Sequence, residues 1–187
     1  MGDKKSPTID ELKAKVLKET LENFRSVHHL YTHLHQLYNN PPKGVTLDYW
    51  HDKVISALAA QPYLNLPKCS KILYSGKMSK KAANAIKKAG SKTKARKGSG
   101  DKAITNEHYY TRKYVLKDML ERIVPLDFDE FVSEWWERGG VYHITTKAEN
   151  GMLQAYIEKK LKQGGNYEPL DWEKNYSSCK IVLIDDL

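Results

Sequence analysis

The chain has 187 residues, 40% of them hydrophobic, and a formal net charge of +8. This length fits one domain of ordinary size or two small ones, and the apolar content excludes a fully disordered protein. No apolar run approaches the roughly 20 residues that span a bilayer, and no secretory signal follows Met1. We therefore expect a cytoplasmic protein that has no membrane partner.

The two cysteines, Cys69 and Cys179, belong to neither a CxxC pair nor a Cys/His zinc spacing. Such isolated cysteines are typical of free thiols in a reducing compartment.

Residues 1–66 predict an N-terminal helical region. Apolar residues recur at helical spacing over residues 8–38, where Thr8 and Glu11 form a capping-box pattern. Two prolines then end the helix. Thr46 begins a second helix that extends to about Ala60, and the short connection predicts an antiparallel helical hairpin.

Four histidines lie in the first predicted helix: His28, His29, His33 and His35. His29 and His33 are four residues apart and share a helix face, as metal ligands on a helix do. The glutamate that an H-E-x-x-H site requires after its first histidine is missing. We therefore interpret these residues as polar-face or interface histidines.

The excess positive charge is concentrated in one stretch. Residues 68–102 contain twelve lysines and arginines and one acidic residue, a net charge of +11, which leaves −3 for the rest of the chain. Such a stretch attracts phosphate backbones through counterion release. A solvated linker, or a basic tail for other anionic surfaces, is the alternative interpretation.

We predict residues 67–102 as a basic flexible segment. Ser79 and Gly90 delimit a short helix whose apolar face is too small to anchor it, and a flexible loop follows over residues 91–102. The residues predicted to bind nucleic acid are Lys80, Lys81, Lys87, Lys88, Lys92, Lys94, Arg96, Lys97, Arg112 and Lys147.

Residues 103–187 predict a region that contains both helices and strands. Helices are predicted over residues 109–123 and, capped by Asp127 or Asp129, up to Arg138. A strand over residues 141–145 runs into a helix that Thr146 caps, and a second strand is predicted over residues 178–184. The fold class is therefore α+β and mostly helical.

Glu107 and His108 lie near the end of a short predicted strand, and Asn150 lies in the first turn of the helix after residues 141–145. A carboxylate and a second oxygen or nitrogen ligand can hold Mg²⁺ or Mn²⁺ beside a scissile phosphate. A histidine on the other side of the phosphate can act as the general base. Alternatively, Glu107-His108 caps a helix and residues 149–150 form an ordinary first turn.

The pattern of these residues resembles the motif of the HNH (ββα-metal) endonucleases, although the gap of 42 residues from His108 to Asn150 is longer than usual. By this resemblance Glu107 and Asn150 fall at the metal ligands and His108 at the general base. Ile144-Thr145 matches the Leu-Thr of the second strand. Val141 occupies the position at which the family has its middle Asn. His143 is the nearby residue that could substitute for this Asn, and we predict it as a second catalytic residue. The resemblance implies a ββα region with a helical insertion within residues 103–187. Small nucleases of this kind are common in phages and mobile elements.

We therefore expect a metal-dependent endonuclease that hydrolyses phosphodiester bonds of DNA. A non-catalytic nucleic-acid-binding protein, or a structural component of a larger assembly whose basic segment threads among acidic surfaces, remains open. The sequence leaves the oligomeric state of the protein open.

Overall fold

The computed structural model describes residues 9–61, 73–108, 111–164 and 168–186. The fold is α+β and mostly helical, as predicted. Among the described residues, no helix is both long and apolar enough to cross a bilayer. The helices and strands are α1 (Ile9–Asn39), α2 (Leu47–Ala59), β1 (Tyr74–Ser79), α3 (Lys80–Ala89), α4 (Lys92–Lys97), β2 (Ile104–Glu107), α5 (Arg112–Leu120), α6 (Phe128–Glu134), β3 (Tyr142–Thr146), α7 (Lys147–Gln163), α8 (Trp172–Ser178) and β4 (Leu183–Asp185).

The chain divides into two compact units. Unit 1 comprises residues 1–73 and 115–140, and unit 2 comprises residues 74–114 and 141–187. These limits do not coincide with the predicted boundaries after residues 66 and 102. Unit 2 contains β1, α3, α4 and β2, whereas the boundary after residue 102 separates β2 from the other three elements.

Unit 1 is a helical assembly in which α1 packs against α2 and α6. The predicted helical hairpin is thus confirmed, while Thr8 of its capping box lies outside the described residues. Phe24, Tyr31, Leu58 and Phe131 are all fully buried in the core. Asp127 begins α6 with a capping box, and a π-helix over Trp135–Gly139 follows it.

Unit 2 is built on a four-stranded mixed sheet with the strand order β2-β3-β1-β4. β3 pairs antiparallel with β2 and parallel with β1, and β4 pairs antiparallel with β1. Because α7 follows β3 directly, the two strands β2 and β3 and this helix form a ββα unit. The segment between β2 and β3 contains α5 and α6, the predicted helical insertion.

The parallel strands β1 and β3 each run straight into a helix. Ser79 caps α3 by accepting a hydrogen bond from the Ala82 amide, and Thr146 caps α7 in a capping box with Glu149. The buried Glu149 carboxylate also accepts a hydrogen bond of 2.5 Å from the Ser79 hydroxyl. This one carboxylate therefore links the starts of α3 and α7.

The basic segment contains more regular structure than its composition predicts. Helix α3 is confirmed, and Gly90 ends it with a φ of +78°, in the left-handed region that favours glycine. The flexible loop predicted at residues 91–102 is wrong, because Lys92–Lys97 forms α4 and Gly100–Lys102 a 3-10 turn. The Ser91 cap and the buried Ala95 account for this short, highly charged helix.

The C-terminal predictions are partly correct. Helix α5 covers the centre of the helix predicted over residues 109–123, of which residues 109–110 lie outside the described part. The strand predicted over residues 178–184 is wrong in its first half. Asp171 caps α8, which extends to Ser178, and only Leu183–Asp185 pairs with β1.

Candidate functional site

The ββα unit brings three of the predicted site residues to one pocket. Glu107 is the last residue of β2, His108 follows it, and Asn150 lies in the first turn of α7. All three line a pocket of about 270 Å³, together with Asn106, Thr111, Arg112, Lys113 and Gln154. We call this the Glu107 pocket, and it lies entirely within unit 2.

The Glu107 carboxyl lies in an environment that disfavours its charge. The residue is 4% exposed, and its side chain has no hydrogen bond or ion pair with any described residue. Burial raises its pKa to about 8. The carboxyl is therefore largely protonated at neutral pH unless a cation or a donor reaches it through the pocket.

Asn150 supplies a second oxygen to the same pocket. Its Oδ1 atom is buried and accepts no hydrogen bond within the described residues. The helix turn that carries it is held by the adjacent Glu149, whose carboxylate also accepts a hydrogen bond of 3.0 Å from the Thr146 amide. A buried, unsatisfied oxygen is costly to keep, so a rigid turn that presents one is a candidate ligand site.

The His108 ring is oriented by the backbone. Its Nδ1 lies 3.1 Å from the Val141 carbonyl oxygen, which can only accept a hydrogen bond. This contact favours the tautomer in which Nδ1 carries the proton and Nε2 carries the lone pair. A histidine in this tautomer can take a proton through Nε2.

His143, which we predicted as a catalytic residue, lies in the core of unit 2. It is directly opposite Glu107 in the antiparallel pair, but its ring is 2% exposed and packs edge-on against Trp172 and Tyr176. Burial, with a smaller contribution from Lys77, lowers its pKa to about 4. It is not among the described residues that line the Glu107 pocket.

Two cationic side chains stand at the Glu107 pocket. Arg112 begins α5, and Lys113, which the sequence analysis missed, follows it. Burial lowers the pKa of Arg112 to about 10, so its guanidinium is still charged at neutral pH. The pocket thus combines oxygen donors, an imidazole and positive charge.

The other predicted nucleic-acid contacts divide into groups. Lys81, Lys88 and Lys94 line a groove of about 700 Å³ between α3, α4 and the start of α7. Lys92 pairs with Asp186, and Arg96 donates a hydrogen bond of 2.6 Å to Asn106. The remaining ones, exposed and outside the lining of both cavities, are Lys80, Lys87, Lys97 and Lys147.

The histidines of α1 have structural partners or face solvent. Nε2 of His35 lies 2.7 Å from the Arg122 carbonyl oxygen, and that of His28 lies 2.9 Å from the Leu126 carbonyl oxygen. His29 and His33 are exposed. Across the described residues, no group of three or more His, Cys, Asp or Glu side chains is placed to hold a metal ion.

Several residues of the Glu107 pocket were not predicted from the sequence. Gln154 lies one helical turn after Asn150, so the spacing of two amides four residues apart could have indicated a shared face. Asn106 and Thr111 carry no comparable signal.

Comparison of the chain with protein-family models, with curated proteins and with solved structures gave no match.

Proposed function

We propose that this chain is a metal-dependent, HNH-like endonuclease that hydrolyses phosphodiester bonds of DNA. The observation that carries the proposal is the Glu107 pocket, where Glu107, His108 and Asn150 meet on a ββα unit. The resemblance assigned these residues to the two metal ligands and the general base, and their convergence in one pocket supports that assignment.

The donor set of the pocket fits Mg²⁺ or Mn²⁺. Glu107 and Asn150 would hold the cation through a carboxylate and an amide oxygen, both buried and both without a partner in the described residues. Mg²⁺ takes few protein oxygens and keeps several of its waters, whereas structural zinc needs four ligands and catalytic zinc three. When bound, the cation supplies Lewis-acid stabilisation of the phosphate.

His108 is the proposed general base. The Val141 carbonyl holds its Nδ1, and Nε2 accepts the proton of the attacking water. Arg112 and Lys113 offset the negative charge that develops on the phosphate oxygens.

The residue that departs from the family pattern, Val141, does not remove this base. Val141 contributes only its backbone carbonyl to the contact with His108. Because any residue offers a carbonyl there, the absence of the middle Asn side chain leaves the orientation of the histidine intact.

Nicking of supercoiled plasmid DNA in Mg²⁺, Mn²⁺ or EDTA tests the proposal. We expect metal-dependent nicking that falls by at least about 100-fold in His108→Ala, as is typical for loss of a general base. His33→Ala, which removes an exposed histidine of α1, is the matched control and should nick like the wild type. Absence of nicking in every metal, or full activity of His108→Ala, would refute the nuclease.

A non-catalytic nucleic-acid-binding protein is the second candidate. The lysine-lined groove beside α3 and α4 favours it, because that groove needs no metal to attract phosphate. DNA binding without nicking under any metal would support this candidate.

A further inference from the structure

The groove beside α3 is large enough for one small ligand. Its volume of about 700 Å³ lies in the range of small-molecule sites, and α3, α4, the 3-10 turn and the start of α7 all contribute to its wall. Its lining includes a series of small apolar side chains, which are Ala85, Ala89, Ala95, Ala103 and Ala148. We call these five alanines the apolar floor, and no large apolar side chain is among the described residues that line the groove.

The charge around this floor is almost entirely positive. Lys81, Lys88, Lys94 and Lys102 line the groove together with a single acid, Asp101. None of the four lysines forms an ion pair with a described residue, whereas the nearby Lys92 pairs with Asp186. A ligand for this groove therefore combines an anionic group with a flat apolar body.

The groove and the Glu107 pocket lie along the same strand. Ala103, beside the first residue of β2, lines the groove, and Glu107, the last residue of β2, lines the pocket. Four residue steps of a strand cover about 13 Å. Because β2 is an edge strand, this path lies at the margin of the sheet.

Positive charge continues along this path. Arg96 projects from α4 and donates its hydrogen bond to Asn106, a residue of the Glu107 pocket. Beyond it, Arg112 and Lys113 line the pocket itself. A phosphate backbone that followed this path would therefore meet cations at the groove, between the two cavities and at the pocket.

We infer that the groove binds an unpaired nucleotide of the same DNA strand that places a different phosphate in the Glu107 pocket. The base of this nucleotide lies on the apolar floor, and its own phosphate lies among the four lysines. This inference rests on the proposed function for its substrate and adds a subsite and a preference for unpaired DNA. A base-paired nucleotide presents its phosphate but keeps its base in the stack, so it cannot use the apolar floor.

Binding of fluorescently labelled DNA in EDTA tests the inference without any cleavage. The probes are a short single strand and a blunt-ended duplex of the same length, and their binding is measured by anisotropy over a series of salt concentrations. The test variant is Lys81→Ala/Lys88→Ala/Lys94→Ala. Its matched control is Lys159→Ala/Lys162→Ala/Lys174→Ala, which removes three exposed lysines of α7 and α8 that lie outside the groove.

For single-stranded DNA we expect the groove variant to bind about 10- to 100-fold more weakly at low salt. Its salt slope should be smaller by about 0.7 for each phosphate that no longer has a lysine partner. The control variant should keep most of its affinity and its slope. Equal weakening in the two triple variants would overturn the inference, because the lysines would then act only through net charge.

A second pair of variants tests the floor. Ala85→Leu fills the groove from α3, whereas Ala83→Leu makes the same change at a half-buried residue of α3 outside the groove. Leucine suits a helix, and circular dichroism would verify that both variants fold. We expect only Ala85→Leu to weaken single-strand binding, and binding of the blunt-ended duplex should not change. Equal weakening of both probes would overturn the preference for an unpaired nucleotide.

Failure of the inference is distinguishable from failure of the proposed function. Metal-dependent nicking together with unaltered single-strand binding by the groove variants would reject the subsite and keep the nuclease. Groove-dependent binding with no nicking in any metal would keep the subsite and reject the nuclease.

Discussion

The buried polar side chains of unit 1 and those of the Glu107 pocket in unit 2 differ in whether they have hydrogen-bond partners. In unit 1 the hydroxyl of Tyr31 donates to the Met119 carbonyl and accepts from the Leu126 amide, and the ring of His35 contacts the Arg122 carbonyl. In the Glu107 pocket of unit 2, the Glu107 carboxyl and the Asn150 oxygen have no such partner within the described residues.

The partners in unit 1 have a common origin. The last carbonyls of a helix have no donor within the helix, and α5 ends at Leu120. Polar side chains of α1 reach the end of α5 and the chain just after it. Each buried side chain and each unpaired carbonyl oxygen therefore gains a hydrogen-bond partner. The difference indicates that hydrogen-bonded polar groups stabilise unit 1, whereas the two buried groups of the Glu107 pocket, which have no partner within the described residues, reduce stability.

The largest expected effect that tests this difference concerns Glu107. Its pKa of about 8 in the folded state, against 4.5 for the ordinary group, means that the folded protein retains a proton that the unfolded chain has released. The free energy of unfolding should therefore fall as pH rises from about 4.5 to 8, by about 1.4 kcal/mol per pH unit. The sum over the window is at most roughly 5 kcal/mol.

Glu107→Gln removes this pH dependence, because the amide does not titrate. Urea denaturation between pH 5 and 9 in EDTA would measure it, with Glu158→Gln, an exposed change on α7, as the control. We expect the wild type and the control to lose stability towards pH 8 and Glu107→Gln to lose little. Identical pH profiles for the three proteins would show that the carboxyl is not desolvated.

The next effect concerns His143, a buried titratable group of unit 2 that belongs to the core. Its pKa of about 4, against the ordinary 6.5, means that the unfolded chain binds a proton more readily than the folded one. The contribution of neutral His143 to the free energy of unfolding is fully present above pH 6.5. It is lost as pH falls towards 4, and the loss is at most roughly 3 kcal/mol.

His143→Phe keeps the edge-on aromatic contacts and removes the titration. We expect the unfolding temperature of this variant to fall less between pH 7 and pH 4 than that of His33→Phe, which changes an exposed histidine. We also expect His143→Phe to retain plasmid nicking. Loss of nicking without loss of stability would support a catalytic role for His143.

A smaller effect is expected in unit 1 at Tyr31. Tyr31→Phe leaves the Met119 carbonyl and the Leu126 amide without their partner in a fully buried position. Urea denaturation should show a loss of about 2 kcal/mol, with nicking by the folded protein unchanged. Tyr49→Phe, at an exposed site, should cost under about 0.5 kcal/mol. Equal stability of the two variants would mean that the Tyr31 hydroxyl does not satisfy its neighbours.

The elements with strong local signals were predictable from the sequence. The caps at Ser79, Asp127 and Thr146 and the end of α3 at Gly90 depend on residues within one helical turn. Strand β1 was not predicted, because its sequence has no alternating pattern and its place depends on pairing with β3, more than 60 residues later. Likewise, the apolar run near the C-terminus forms a strand only where β1 is available to pair.

The site was predictable to the extent that the motif is local. Glu107, His108 and Asn150 were found through their positions at the ends of a strand and a helix, and the structure brings them to one pocket. His143 lies only two residues from the contact that orients His108, yet α8 covers it. Its burial could not be foreseen, because the sequence predicted no helix at residues 172–178.

The smallest expected effect tests whether the oxygens of the Glu107 pocket bind a cation. At a free Mg²⁺ concentration ten times its Kd, binding stabilises the folded state by about 1.4 kcal/mol. Asn150→Ala should abolish this gain while changing the metal-free stability by less than about 1 kcal/mol, because its Oδ1 has no hydrogen bond to lose. Asn40→Ala, at an exposed residue, should keep the gain.

The pH dependence of that gain separates binding at Glu107 from binding elsewhere on the protein. A cation at this carboxyl displaces its proton, so the stabilisation by Mg²⁺ should increase as pH rises from 6 towards the Glu107 pKa of about 8. Ordinary surface carboxylates are already ionised at pH 6 and would give a gain that does not change over this range. A pH-independent gain that survives in Asn150→Ala would therefore place the cation outside the Glu107 pocket and refute the proposed metal site.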